Sequence, residues 1–269
     1  MTALSEQRVP VEMVATGPVR AIIKKGDEVD LTRLPAHQSG VRDGGPFITA
    51  GLAVTKDPDA GTRNLSFHRL MLKGPRKTGA LLYPRHAHTN YPKYEARGEP
   101  MPIAVFIGHH PLVYMAAATT GPYGMDEFEV AGAYPGQPVR LVKCETVDLE
   151  VPADAEIVLE GHVLPRVREE EGPFAEFQDH YVVGSGKNPV VEYQALTMRS
   201  DPIFKAIQFV THNALEAAYL ADRIHLLTPR PARLARSMAV DVPRDREMED
   251  PRVVATAREV VRALEAPRA

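Results

Sequence analysis

Several large functional classes are excluded by what this chain has little of. A single cysteine in 269 residues, Cys144, rules out an internal disulfide and a zinc site built from thiolates. It ends the alternating run 139–144 and reads as a small apolar strand residue. A net charge of −3, with basic residues scattered along the chain, leaves no electrostatic footprint for nucleic acid. Aromatic residues at 6% provide no evident platform for stacked bases. No apolar run approaches the length of a membrane span, and residues 1–13 lack the apolar stretch of a secretory leader. The expectation is a cytoplasmic protein with neither a nucleic-acid nor a membrane partner.

Proline and glycine, 24 and 19 residues, are by contrast plentiful and cut the chain into short elements. Strands are predicted at 19–23, 47–55, 64–72, 79–83, 103–107, 139–145, 155–160, 181–183 and 190–198. Asp43-Gly-Gly-Pro46 marks a turn, and Asp57-Pro-Asp-Ala-Gly61 joins 47–55 to 64–72 as a hairpin. Helices are predicted at 110–118 and 125–132, and the apolar segment 201–227 reads as a helix or a cover for the body. Val253, Ala257, Val260 and Leu264 recur at helical period and predict an amphipathic helix over 251–268. The fold class is therefore α+β, with a β-rich, mostly antiparallel body. The predicted organisation is a lead-in over 1–45, a body over 46–210, a helix and Pro/Arg-rich linker over 211–250, and a terminal helix over 251–269.

The segment Glu171-Gly-Pro-Phe-Ala-Glu176 sets two carboxylates about a Gly-Pro bend that no helix tolerates. Carboxylates held on a turn can acquire different environments and so divide acid and base roles; taken alone, the segment reads equally as a solvated acidic turn. In 64–69, strand alternation puts Asn64, Ser66 and His68 on one face and Leu65, Phe67 and Arg69 on the other. An arginine among apolar neighbours is costly unless paired, and Glu171 or Glu176 could pair it; otherwise it snorkels from the strand edge. His86 and His88 have the spacing of two residues on one strand face, a weak metal signal. Asp126, Glu127 and Glu129 could hold a divalent cation or simply complement a helix dipole, and His109-His110 reads as a helix entry before Pro111.

Taken in order, these segments resemble the UbiD-type decarboxylases. The resemblance rests on Asp43-Gly-Gly-Pro, Ile48-Thr-Ala-Gly, Asp57-Pro-Asp-Ala-Gly, the Asn64 to Arg69 spacing, Arg85-His86 and the Glu127 to Ala131-Gly132 spacing. It continues through Glu145-Thr-Val-Asp-Leu, Val151-Pro-Ala-Asp, Glu171-Gly-Pro-Phe-x-Glu176 and Thr197-Met-Arg-x-Asp-Pro202. It implies a flavin-reductase-like split β-barrel and a lyase that reversibly decarboxylates aromatic, heteroaromatic or α,β-unsaturated acids with prenylated FMN. It implies Asn64, His86 and Glu127 as ligands of Mn2+ or Mg2+, with Ser66, Phe67, His68, Arg69 and Arg85 also toward the cofactor. A K+ ion would sit by Ala116, Ala117 and Thr119, and Arg69, Glu171 and Glu176 would form the catalytic trio, Glu176 protonating product carbon.

The chain departs from that family in being short. Most of the N-terminal α/β region is expected to be lacking, and no counterpart of the large C-terminal domain is expected after Ile207. Ala175 stands where glycine is common, and His68 replaces a usual aromatic. Three readings follow: a short active decarboxylase, the cofactor-bearing subunit of a hetero-oligomeric carboxylase or decarboxylase, or a catalytically silent structural subunit. Expected partners are the acid substrate, a flavin prenyltransferase that supplies cofactor, and further subunits in a homo- or hetero-oligomer.

Overall fold

The computed structural model describes residues 8–82, 85–175, 181, 184–205, 213–227, 234–243 and 247–265. The chain divides into two compact units, Met1–Ile207 and Gln208–Ala269. The first holds strands β1 (Glu12–Met13), β2 (Ile22–Lys25), β3 (Phe47–Ile48), β4 (Gly51–Lys56), β5 (Arg63–Phe67), β6 (Leu70–Leu72) and β7 (Lys77–Ala80). Helix α1 (His86–Arg97), strand β8 (Met101–Ile107) and helices α2 (Pro111–Ala117) and α3 (Glu127–Ala133) follow. Strands β9 (Arg140–Lys143), β10 (Glu150–Pro152), β11 (Ile157–Glu171) and β12 (Gly186–Met198) complete it. The result is a strand-rich α+β body, as the sequence predicts.

A nine-stranded sheet runs in the order β3-β6-β7-β12-β11-β8-β4-β5, with β2 added to β12. Its two ends belong to one hairpin, because β3 runs on into β4 and β5 into β6. Phe47 faces Met71, whereas Leu52 faces Phe67. One strand therefore carries one more residue than its partner between those pairs, and an extra residue bends a ladder. The predicted strands 47–55 and 64–72 each break at this bend, at Thr49-Ala50 and His68-Arg69. Gly51 sits there because a Cβ would lie 2.8 Å from Val105 Cγ1. The bend also ends the predicted alternation: Leu65 is buried while Phe67 is 37% exposed.

Both faces of the sheet are covered. Leu52, Val54, Ala104, Phe106 and Val158 point into one cluster with Phe128 and Leu141. Ala53, Ile103, Val105, Ile107 and Leu159 point into the other with Tyr91 and Tyr94 of α1. Alternate residues of one strand thus feed opposite cores, which is why these strands read as continuous apolar runs. The lead-in is woven into the body rather than preceding it: β1 pairs with β9, and β2 with β12. Of the predicted strand 19–23, residues 18–20 form a 3-10 turn and only Ile22 onward is extended.

In the second unit, α4 (Ala214–Leu220) is capped by Asn213, whose side chain accepts from Leu215 N at 2.9 Å. Strands β13 (Arg223–Leu227) and β14 (Leu234–Ala239) form a two-stranded sheet, and α5 (Pro251–Glu265) follows. The reading of 201–227 as a helix or a cover holds in part, since Ala214–Leu220 is helical, but strands at 223–227 and 234–239 correct its end and the linker over 228–246. Ile224 lies opposite Met238, and both pack with Leu226 against Val260, a period-two pattern hidden among prolines and arginines. The predicted inward face of α5 holds for Val253, Ala257 and Val260, whereas Leu264 is exposed.

Candidate active site

β5 and the bend that follows carry two carboxylate-centred clusters. In the first, Asn64 of β5 meets His86 at the start of α1 and Glu127 at the start of α3. As placed, Asn64 Nδ2 lies 3.2 Å from Glu127 Oε1 and 3.3 Å from His86 Nδ1, and Asn64 Oδ1 lies 3.1 Å from Ser66 Oγ. His86 Nδ1 and Glu127 Oε1 are 3.8 Å apart. Glu127 Oε2 accepts from the Leu65 backbone N–H at 2.8 Å. Glu127 is 3% exposed, and burial pushes its pKa up to about 7, opposed by the hydrogen bond from the Leu65 backbone. The Tyr123 ring lies edge-on to His86 at 5.4 Å, its hydroxyl 2.8 Å from Asp57 Oδ2 and 2.5 Å from Asn90 Oδ1.

The other acids of that helix entry are engaged elsewhere. Asp126 caps α3 by accepting from Phe128 N and pairs with Arg63 at 2.6 Å. Glu129 stands half-buried on α3 and lines an open cavity of about 670 Å³ beside Arg63 and Tyr123. His88 is exposed and Arg85 is the residue before α1, so the His86/His88 pair sits on a helix and not on the strand its spacing suggests. Sequence reasoning missed this helix because Pro92 lies inside it. Among the described residues, no group of three or more His, Cys, Asp or Glu side chains gathers into a metal-ligand cluster. His110 caps α2, as its place before Pro111 predicts.

In the second cluster, Arg69 donates from Nε to Glu171 Oε1 at 3.0 Å and from Nη2 to Oε2 at 2.9 Å. Asn188 of β12 adds a third donor to Oε2 at 2.9 Å. Glu171 is fully buried, and of the two outcomes that the sequence leaves open for Arg69, pairing rather than snorkelling, it is the pairing that forms, with Glu171. The remaining guanidinium nitrogen, Nη1, has no hydrogen-bond partner among the described residues. Phe174 lies under the guanidinium at 5.3 Å and edge-on to Phe47 at 4.9 Å.

β11 ends at Glu171, and Gly172-Pro173 turns the chain away as predicted. A loop of the lead-in clamps this turn. Asp43, buried, accepts from Gly40 N at 2.8 Å and from Ala175 N at 2.7 Å, and Gly44 N donates to Pro173 O at 2.9 Å. A Cβ on Gly44 would lie 2.2 Å from Gly172 O, so the two backbones approach as only glycine allows. Asn188 and the clamp role of Asp43 were not anticipated. The Asp-Gly-Gly-Pro motif signalled a turn, but nothing local signalled what it grips. Glu176 lies outside the described residues, as do 182–183 of the predicted strand 181–183.

Residues 12–211 match the family model described as "UbiD: 3-octaprenyl-4-hydroxybenzoate carboxy-lyase Rift-related domain". The chain belongs to the UbiD family. It is 43% identical over 183 residues to the anhydromevalonate phosphate decarboxylase of Methanothermobacter thermautotrophicus, covering 68% of this chain and 43% of that protein. The protein of the same name from Methanosarcina mazei is 38% identical over 198 residues, 73% of this chain and 45% of that one. The chain thus spans less than half the length of these UbiD relatives. Among solved structures, the UbiD-class enzyme HmfF of Pelotomaculum thermopropionicum, in complex with FMN, superposes with a TM-score of 0.74. It is 45% identical and is matched over 76% of this chain and 46% of its own. An evolved dimeric form of HmfF in complex with prFMN matches 96% of this chain and 64% of its own, with TM-score 0.75 and 36% identity. That coverage exceeds what residues 1–207 supply, so the match extends into the second unit. The resemblance thus does not end at Ile207, where the sequence suggests that it fades.

Proposed function

We propose that this chain carries the cofactor site of a decarboxylase that acts on an aromatic, heteroaromatic or α,β-unsaturated carboxylic acid with prenylated FMN. The observation that carries the reading is the convergence of Asn64, His86 and Glu127 within 3.8 Å, a few residues along the same strand from the buried Arg69–Glu171 pair. The bent hairpin that joins both ends of the large sheet supports reading the body as a split β-barrel.

The donor set fits Mn2+ or Mg2+. It offers an amide, an imidazole and a buried carboxylate with no Lys or Arg partner, so a cation would supply the missing countercharge. These residues would hold the metal against the cofactor phosphate, with Ser66, Phe67, His68 and Arg85 nearby on the same segments. Ala116, Ala117 and Thr119, around the end of α2, would supply carbonyls to K+. Prenylated FMN, when bound, supplies the electrophilic centre that accepts electrons as carbon dioxide leaves. Arg69, fixed by two bonds to Glu171, presents Nη1 to the substrate carboxylate, which sets its orientation before reaction. Glu171, fully engaged as an acceptor, acts as the anchor of Arg69, and Glu176, two residues beyond the Asp43-clamped turn's Phe174, delivers the proton to product carbon.

The test is the absorption and mass spectrum of chain co-expressed with a flavin prenyltransferase and supplied with Mn2+, beside the Glu127→Ala variant. Prenylated FMN held by the wild type and lost from the variant is the expected result. A cofactor retained equally by both would overturn the site, and a colourless wild type would overturn the claim that this chain holds the cofactor by itself.

A further inference from the structure

A hydrogen-bond chain leads from the sheet interior to Asn64, and its proton count fixes the direction of that side chain. His68 is 4% exposed, and burial lowers its pKa to about 4, so the ring is neutral at pH 7. Its Nδ1 lies 3.1 Å from the Leu81 carbonyl oxygen. A carbonyl only accepts, so the ring proton sits on Nδ1 and leaves Nε2 as an acceptor. The Ser66 hydroxyl, 2.9 Å from Nε2, must then donate to it. Ser66 has one proton, so its other partner at 3.1 Å, which the structure places as Asn64 Oδ1, must instead be the amide nitrogen, and the amide is turned end for end from that placement. The opposite assignment has Ser66 donating to Asn64, which makes His68 donate from both nitrogens as a buried imidazolium. The two ends of an amide are isosteric, and only such partners distinguish them.

We infer that His68, acting through Ser66, is a positioning residue that turns the Asn64 amide oxygen toward His86 and Glu127. Its consequence for metal binding rests on the cation reading above. With the oxygen inward, an amide oxygen, an imidazole nitrogen and a carboxylate oxygen face one another as acceptors, an arrangement that a hard cation completes. With the NH2 inward, the amide would satisfy Glu127 and repel the same cation. His68 has both ring nitrogens engaged within the protein, so its part is to orient and not to touch a ligand. Asn64 and Ser66 share a face of β5 and His68 follows at the bend, so the chain assembles within five residues of sequence.

Two measurements on the full chain test this. The first is the long-range proton–nitrogen correlation spectrum of the histidine rings in metal-free, 15N-labelled protein at pH 7, with His68 assigned from a His68→Gln variant. The neutral Nδ1–H tautomer is expected, and an Nε2–H tautomer or an imidazolium overturns the inference. The second is titration of Mn2+, with FMN present, read by electron paramagnetic resonance. Glu127→Gln should abolish binding, and His68→Phe should weaken it by about tenfold or more, in the range for groups that orient metal ligands. His68→Gln, which keeps an acceptor for Ser66, should weaken it less. In a double variant, Ser66→Ala should add nothing to His68→Phe. Glu127-dependent binding that His68→Phe leaves unchanged overturns the inference while the cation site stands. An Nδ1–H tautomer without Glu127-dependent binding sinks the cation reading and leaves the amide orientation established.

Discussion

Glu171 and Glu127 are both buried carboxylates within reach of one strand, yet the protein treats them oppositely. Glu171 receives two N–H groups from Arg69 and one from Asn188, so its charge is matched inside the fold. Among the described residues Glu127 meets backbone N–H groups, an amide and a half-buried imidazole but no Lys or Arg, and burial raises its pKa to about 7. The contrast teaches that burial alone does not define a structural carboxylate. A satisfied carboxylate orients its partner. One left short of positive charge stores a demand for a proton or a cation, and such unmet demands mark binding sites.

The largest effect expected from breaking this contrast comes from Arg69→Ala, which strands Glu171 without its counter-charge. Loss of one partner of a buried pair costs about 3–5 kcal/mol, to be read from the urea midpoint, and turnover should be lost with it. Glu127→Gln should act in the opposite direction on the metal-free chain. An acid whose folded pKa of about 7 lies above its ordinary value of 4.5 binds more protons folded than unfolded between those values. Stability therefore falls as pH rises through that window, and the full penalty is present above it. At pH 8 the variant should be more stable by about 3 kcal/mol, with the gain vanishing near pH 4; equal midpoints at pH 8 would refute the unmet charge.

Asp43→Ala removes the acceptor of the Gly40 and Ala175 N–H groups and should cost about 2 kcal/mol. Hydrogen exchange at 172–175 should accelerate while Mn2+ binding is retained, which separates the clamp from the cation cluster. Glu129→Gln should produce the smallest effect, within about 0.5 kcal/mol in stability, with Mn2+ affinity unchanged. A loss of affinity there would move the ligand role from Glu127 to Glu129.

Legibility in the sequence followed the range of the forces involved. The hairpin 47–72, helices 110–118 and 125–132 and the inward face of the last helix could be read because periodicity and punctuation are local signals. Helix His86–Arg97 could not, since Pro92 argues against it and burial of Tyr91 and Tyr94 against the sheet overrides propensity. The strands at 223–227 and 234–239 were likewise hidden, because their pattern is short and their flanks resemble a linker. At the site, a carboxylate partner for Arg69 was one reading of its apolar neighbours, but Asn188, which reaches Glu171 across 17 residues of sequence, gave no sign. Family resemblance named Asn64, His86 and Glu127 where spacing alone could not, since no local rule links positions on a strand and two helices.

By itself the sequence determined the element types over most of the first unit, the absence of an internal disulfide and the presence of one arginine that either pairs with a carboxylate or snorkels. Those are consequences of local backbone preference and of the cost of burying charge. Only the tertiary structure decided which carboxylate Arg69 takes, which carboxylate is left short of positive charge, and which loop grips the Gly-Pro turn. These outcomes depend on a one-residue bend in a hairpin that brings distant segments within hydrogen-bond distance, and hydrogen bonds across such separations leave no periodic trace in the chain.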